Sequence, residues 1–131
     1  MESKFDIGTL DQEDTHTINL RHPSTDEDIP GVTATIYGQD SEQCREATRK
    51  ATIKYTDYAR KHRGKFMPPE EQEKLEFTKI VACTKSIDGL VLGGEPITDV
   101  AAILTRVPAF RDQINGEIHD RANFIKDSSQ K

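Results

Sequence analysis

The sequence of 131 residues predicts an α+β fold, in which a short N-terminal β-hairpin over about 15–37 packs on a bundle of about four helices. One observation is a segment near the N-terminus that is rich in β-branched residues, which favour strands. A second is the helical spacing of apolar residues farther along the chain. A third is that an isolated hairpin is only marginally stable in water, so it needs the helices as a support. The helices are expected at about 40–62, 69–86, 98–107 and 109–124.

The hairpin is predicted from two strands joined by a turn-rich loop over 22–31. The first strand, over 15–20, alternates and is rich in Thr and Ile. In the second strand, over 32–37, successive side chains point to opposite faces, so one face carries Val32, Ala34 and Ile36. Residues 1–14 are polar and acidic, with no sustained apolar period, and we expect them to form a flexible N-terminal segment.

The first helix is predicted to begin at Asp40 or Ser41, because these residue types cap helix N-termini. It should end near His62, since Gly64 is typical of a helix C-terminus. Its narrow apolar stripe starts with small residues, which allow close approach of a neighbour, and consists of Ala47, Ala51, Tyr55 and Tyr58.

The second helix is predicted over 69–86, because Pro68-Pro69-Glu70-Glu71 combines proline in the first turn with acids at the positive end of the helix. Its apolar residues between Leu75 and Cys83 cover more than one stripe, so it should be the most buried helix. A turn or small hairpin is expected around Gly93-Gly94.

Two shorter helices complete the predicted domain, which spans 15–125. Thr98 or Asp99 should cap the first of them, and Pro108 separates it from the last helix. The last helix, over 109–124, is striped by Phe110, Ile114, Ile118 and Ala122. Residues 126–131 should fray as a C-terminal tail.

Charge is segregated along the chain, although its sum is only −5. Residues 1–31 hold 2 basic and 8 acidic side chains, whereas residues 45–65 hold 8 basic and 2 acidic ones. The basic helix is either a solvated face balanced by the acidic segment or a surface for an acidic protein partner. The candidates for a docking face are Arg45, Arg49, Lys50 and Lys54.

Composition and motifs argue against an enzyme. Only 34% of the residues are hydrophobic and 31% are charged, which disfavours a large buried catalytic cleft. None of the four histidines pairs with another His or Cys at zinc spacing. The stretch Gly89–Glu95 lacks the Lys and Ser/Thr of a phosphate-binding loop, and Asp26-Glu27-Asp28 lacks the rest of a calcium loop. We therefore expect no catalytic residues, no metal and no cofactor.

The two cysteines, Cys44 and Cys83, are expected to be buried free thiols. The N-terminus has no secretory leader pattern, and no apolar run reaches the 18 or so residues of a membrane span. These observations fit a protein of a reducing cytoplasm that does not contact membranes.

The order of features over 32–125 resembles the tail assembly chaperones of long-tailed phages. Four segments carry the resemblance: Ile36-Tyr37-Gly38 before a long Arg-rich helix, Ala82-Cys83-Thr84-Lys85 before Gly93-Gly94-Glu95-Pro96, Phe110-Arg111-Asp112-Gln113-Ile114 after Pro108, and Asp120-Arg121-Ala122-Asn123-Phe124. The resemblance implies a small α+β protein made in the host cytoplasm. Such proteins keep the long tape-measure protein soluble, help to recruit tail tube subunits and are absent from the mature virion.

Within this interpretation, Phe124 is a further candidate for partner binding, because it either packs onto the core or presents an apolar contact. Asp120 and Arg121 are expected to form a structural ion pair or cap. Self-association is compatible with the sequence. The alternatives are a structural tail-completion or head–tail joining protein and, less favoured, a small nucleic-acid-binding regulator that uses the basic helix.

Overall fold

The computed structural model describes residues 4–125 and confirms the α+β class. Five strands and four α-helices follow one another as β1 Thr15–Arg21, β2 Asp28–Tyr37, α1 Glu42–Lys61, α2 Pro69–Ala82, β3 Thr84–Asp88, β4 Val91–Leu92, β5 Glu95–Pro96, α3 Val100–Arg106 and α4 Pro108–Ile118. Two short 3-10 helices lie near the ends of the described region, at Ile7–Leu10 and Arg121–Phe124.

The main sheet is antiparallel and has the strand order β1-β2-β3. The predicted hairpin is confirmed, and Ala34 in its second strand pairs with Ile18 of β1 and Ile87 of β3. Alternation along β2 buries the predicted face, consisting of Val32, Ala34 and Ile36. The sheet is therefore apolar on the side that meets the helices.

The predicted helix over 69–86 is wrong in its last turn, because α2 ends at Ala82 and residues 84–88 form β3. The expectation that it is the most buried helix is also wrong, since α2 buries only Ile80, whereas α4 buries three residues. The Thr84 hydroxyl donates to the Ile80 carbonyl oxygen at 2.8 Å, in the last turn of the helix. The chain then pairs with the open edge of β2, and Ile87 becomes fully buried. The N-terminal hairpin is thus two strands of a three-stranded sheet.

The predicted helix over 109–124 is also too long, because α4 spans Pro108–Ile118 and a separate 3-10 turn follows. The Asp120 carboxylate accepts a hydrogen bond from the Ala122 backbone N–H at 3.1 Å, which starts this new turn. The change of direction brings Phe124 onto the core.

The predicted start of the second strand is wrong, because residues 28–31, expected in the loop, belong to β2. The predicted ends of α1 and α3 agree with the structure to within about two residues. Ser41 caps α1 by accepting from the Cys44 backbone N–H at 3.2 Å, and Asp99 caps α3. The small hairpin around Gly93-Gly94 is present as β4 and β5.

The acidic segment before β1 is described from residue 4 onward. Residues 4–13 are exposed and contain the first 3-10 turn, and the Glu13 backbone N–H donates to the Phe124 carbonyl oxygen at 2.7 Å. The segment therefore touches the end of the domain at this point. The expected C-terminal tail, 126–131, lies outside the described residues.

The core lies between the sheet and α3, α4 and the inner end of α2. Its fully buried large side chains are Leu20, Ile36, Ile87, Leu104 and Ile114. We call residues 42–82, which comprise α1, α2 and their connection, the helical arm. The arm contributes to the core through residues near its base such as Cys44 and Ile80. Its outer half, residues 51–75, supplies no side chain to the core cluster of described residues.

Asp40 and Arg121 form an ion pair that ties the base of α1 to the chain after α4. The Arg121 guanidinium donates to both carboxylate oxygens of Asp40, at 2.7 and 3.1 Å. This hydrogen bonding lowers the pKa of the Asp40 carboxyl below its ordinary value. Because the pKa is lowered in the folded state, the stabilisation is present above the unfolded value of about 3.9 and is lost as the pH falls through the folded value.

Asp40→Asn is expected to lower Tm at neutral pH by about 1–4 °C, since exposed ion pairs contribute little. The difference from the wild type should shrink as the pH falls below about 4. Thermal unfolding across this pH range measures it, with Arg121→Gln and the double variant as controls. A difference that stayed constant down to about pH 2 would show that the ion pair is not its source.

Candidate functional site

The four basic residues proposed as one docking face lie on two sides of the helical arm. Helix α2 packs along α1 and separates them. Arg45 and Arg49 border a cavity on the side of α4, whereas Lys50 and Lys54 line a groove on the opposite side. The basic helix therefore carries two different surfaces.

The cavity beside α4, which we call the thiol cavity, has a volume of about 550 Å³. It lies where the first half of α1, the end of α2 and the end of α4 meet. Its lining consists of Gln39, Cys44, Arg45, Thr48, Arg49, Lys79, Ile80, Cys83, Asn115, Ile118 and His119. This lining includes three permanent cations and no carboxylate among the described residues.

Two of these cations also have acidic neighbours outside the cavity. Arg49 is paired with Glu46, and the Lys79 Nζ lies 3.4 Å from the Glu76 carboxylate. Exposed pairs of this kind are weak, because water screens them. The thiol cavity therefore remains a region that favours anions.

The two thiols of the cavity belong to Cys44 in the first turn of α1 and Cys83 at the end of α2, and both are free and buried. Both residues contact the backbone of Tyr37 in β2. The Cys44 thiol donates to the Tyr37 carbonyl oxygen at 3.3 Å, and the Cys83 carbonyl oxygen accepts from the Tyr37 N–H at 2.8 Å. The expectation of buried free thiols is thus confirmed.

The two thiols also differ in acidity, because they interact with each other. A hydrogen bond to Cys44, together with burial, raises the pKa of the Cys83 thiol. The hydrogen bond from Cys83, followed by one from Ser41, lowers the pKa of the Cys44 thiol. A helix N-terminus and a nearby lysine act on Cys44 in the same direction. Both shifts favour the thiolate form of Cys44 over that of Cys83.

The second surface, which we call the lysine groove, runs between α1 and α2 and has a volume of about 290 Å³. Its apolar residues are small or of moderate size: Ala47, Ala51, Leu75 and Ala82. Lys50, Lys54 and Lys79 line it as cations, against one acid, Glu46. Small residues on its floor would let another helix approach closely.

Phe124 is not a surface residue, so its assignment as a partner contact is corrected. Its side chain is only 3% exposed and belongs to the core cluster. The ring covers Gly38 and meets the His16 ring edge-on, with centroids 5.9 Å apart. Asp120, in contrast, is a cap as expected, whereas Arg121 pairs with Asp40 and not with Asp120.

The thiol cavity, with Lys79 and Cys83 in its lining, is not among the sites predicted from the sequence. The short connection between the first two helices is a sequence signal that indicates this contact. Two helices joined by a turn near Gly64 pack antiparallel when the connection is short, which places the start of the first beside the end of the second. That arrangement brings Cys44 close to Cys83.

Residues 4–125 contain no group of three or more His, Cys, Asp or Glu side chains placed to hold a metal ion. No helix within this range is long and apolar enough to cross a membrane. Comparison with known proteins yields no matching family model, no matching curated protein and no matching solved structure. The functional interpretation therefore depends on the two surfaces of the helical arm.

Proposed function

We propose that the chain is a phage tail assembly chaperone, which binds the tape-measure protein, keeps it soluble and helps to recruit tail tube subunits. The observation that carries the proposal is the lysine groove on an arm whose outer half lies outside the core. The resemblance over 32–125 supplies the class of client. On this proposal the protein acts in the host cytoplasm and leaves before the virion is complete.

The lysine groove has the properties needed for a long helical client. An amphipathic helix can place an apolar stripe against Ala47, Ala51 and Leu75, in the helix-in-groove mode. Acidic residues beside that stripe would pair with Lys50 and Lys54. Each contact would be weak and therefore reversible, while several copies on one client would gain affinity through avidity.

Co-expression with the tape-measure protein of the same phage tests the proposal. The soluble fraction of the tape-measure protein should rise strongly when this chain is present. Equal insolubility with and without the chain would reject the proposal. Mass spectrometry of purified virions gives an independent test, because a chaperone should be absent from them and a tail-completion or joining protein should be present.

Charge reversal in the groove, Lys50→Glu with Lys54→Glu, is expected to weaken client binding about tenfold or more, because each ion pair contributes up to about 1 kcal/mol. The matched control is Lys61→Glu with Lys65→Glu, which makes the same charge change among exposed residues outside the groove. Pull-down of the co-expressed client at several salt concentrations measures the effect. If both double variants weakened client binding equally, the effect would come from overall charge, which would contradict binding in the lysine groove.

A further inference from the structure

The thiol cavity contains a feature that the chaperone proposal does not use. Cys44 and Cys83 are 2% and 5% exposed, yet both side chains border an open cavity of about 550 Å³. Both residues bond to the backbone of Tyr37, Cys44 through its thiol and Cys83 through its carbonyl oxygen, so they lie next to the same residue of β2. A buried thiol in purely apolar surroundings is inert, whereas these thiols have polar and cationic neighbours.

We propose that Cys44 and Cys83 form a redox-active dithiol site that is oxidised by a small anionic disulfide, such as oxidised glutathione. The cavity volume lies within the range of small-molecule sites. Arg45, Arg49 and Lys79 line the approach to the thiols, and the described lining has no carboxylate to repel the carboxylates of such a reagent. This inference does not depend on the proposed chaperone function.

The reaction has two thiol–disulfide exchange steps. The Cys44 thiolate attacks one sulfur of the reagent, so a mixed disulfide forms on Cys44 while the disulfide bond of the reagent breaks and one glutathione thiolate leaves. The Cys83 thiolate then attacks the Cys44 sulfur, forms the Cys44–Cys83 bond and releases the second glutathione. Two protein thiols are oxidised, the reagent accepts two electrons, and the two protons pass to the departing thiolates or to water.

The assignment of Cys44 as the attacking residue follows from its position. It lies in the first turn of α1, where backbone N–H groups and the helix dipole favour a thiolate. Cys83 lies at the C-terminal end of α2, where the dipole has the opposite effect. The bond between them would join the base of α1 to the end of α2.

Treatment of the full chain with oxidised glutathione tests the proposal. Mass spectrometry should show the loss of two hydrogen atoms per chain, and peptide mapping should show a Cys44–Cys83 link that dithiothreitol reverses. The Cys83→Ser variant should accumulate glutathione on Cys44. Cys44→Ser should react at least about tenfold more slowly. The proposal would be overturned if the folded wild type did not react, or if disulfides formed only between two chains.

The role of the cations is tested by reagent charge. Each oxidation rate is divided by the rate of the same reagent with a free model thiol. On this scale oxidised glutathione, which is anionic, should be the fastest reagent, neutral hydroxyethyl disulfide should be slower, and cationic cystamine should be the slowest. Arg45→Glu with Arg49→Glu should reverse this order, whereas Lys61→Glu with Lys65→Glu should preserve it. The same order in both double variants would show that the cavity cations do not select the reagent.

Discussion

Replacing Gly89 by alanine is expected to lower the free energy of unfolding by about 2–6 kcal/mol, or to prevent folding. Gly89 follows β3 and has a φ of +93°, a conformation that costs other residues about 1–3 kcal/mol. An added Cβ would also lie 2.0 Å from the Gly31 carbonyl oxygen, so the backbone of β2 or β3 would have to move. Overpacking of this kind adds about 1–3 kcal/mol.

Two other glycines separate the steric effect from the conformational one. Gly93 also has a positive φ, +62°, but faces open space, so Gly93→Ala should cost only about 1–2 kcal/mol. Gly116 lies within α4 and also faces open space, so Gly116→Ala should stabilise by about 0.5–1 kcal/mol. Denaturant unfolding of the full chains measures all three. An equal cost at Gly89 and Gly93 would contradict the close approach to Gly31.

The second large effect is expected at Phe124, where replacement by alanine should cost about 3–5 kcal/mol. The ring fills the space between Gly38 and the core, and its loss leaves a cavity there. Denaturant unfolding should show the whole loss in the isolated chain. If Phe124 served only to bind a partner, its replacement would instead weaken the client complex and leave the stability of the free chain unchanged.

Phe66 provides the matched control, because its side chain is 93% exposed. Phe66→Ala should change the stability by no more than about 0.5 kcal/mol. Gly38 tests the packing from the other side, since an added Cβ would lie 2.9 Å from the Phe124 ring. Gly38→Ala should therefore destabilise the wild type but have little effect in the Phe124→Ala variant. Additive effects of these two changes would mean that the two positions do not touch.

Much of the fold could be predicted because its signals are local. Alternating β-branched residues define the inner part of β2, and Ser41 and Gly64 bracket α1. The end of α2 has no such signal, since neither Gly nor Pro follows before Gly89 and the apolar residues up to Cys83 also suit a helix. The deciding factor is the open edge of β2, which is distant in sequence and pairs with residues 84–88.

The end of α4 is marked in the sequence by a capping residue, but the helical spacing of the apolar residues continues past it. Asp120 is a good capping residue, but Phe110, Ile114, Ile118 and Ala122 continue the apolar stripe across it. As a result the sequence placed Phe124 on the last helix, where it could be either buried or exposed. The 3-10 turn after Asp120 makes it a core residue.

The candidate site was predicted in part. The charge run of α1 identifies Arg45, Arg49, Lys50 and Lys54, because charge is visible in the sequence. Their division between two surfaces depends on where α2 packs on α1, and this contact joins residues far apart in the chain. The thiol pair depends on the same contact, and only the antiparallel packing of α1 and α2 indicates it.

Because the outer half of the helical arm lies outside the core, the length of the arm can vary. The arm connects β2 to β3, and the core fixes the chain only near the base of the arm. Inserting matched turns into α1 and α2 would move the tip outward without changing the register of the sheet. The entropic cost of a longer connection also grows slowly with its length. Arm length is thus a dimension in which related chains can diverge while the sheet and its buried residues stay the same.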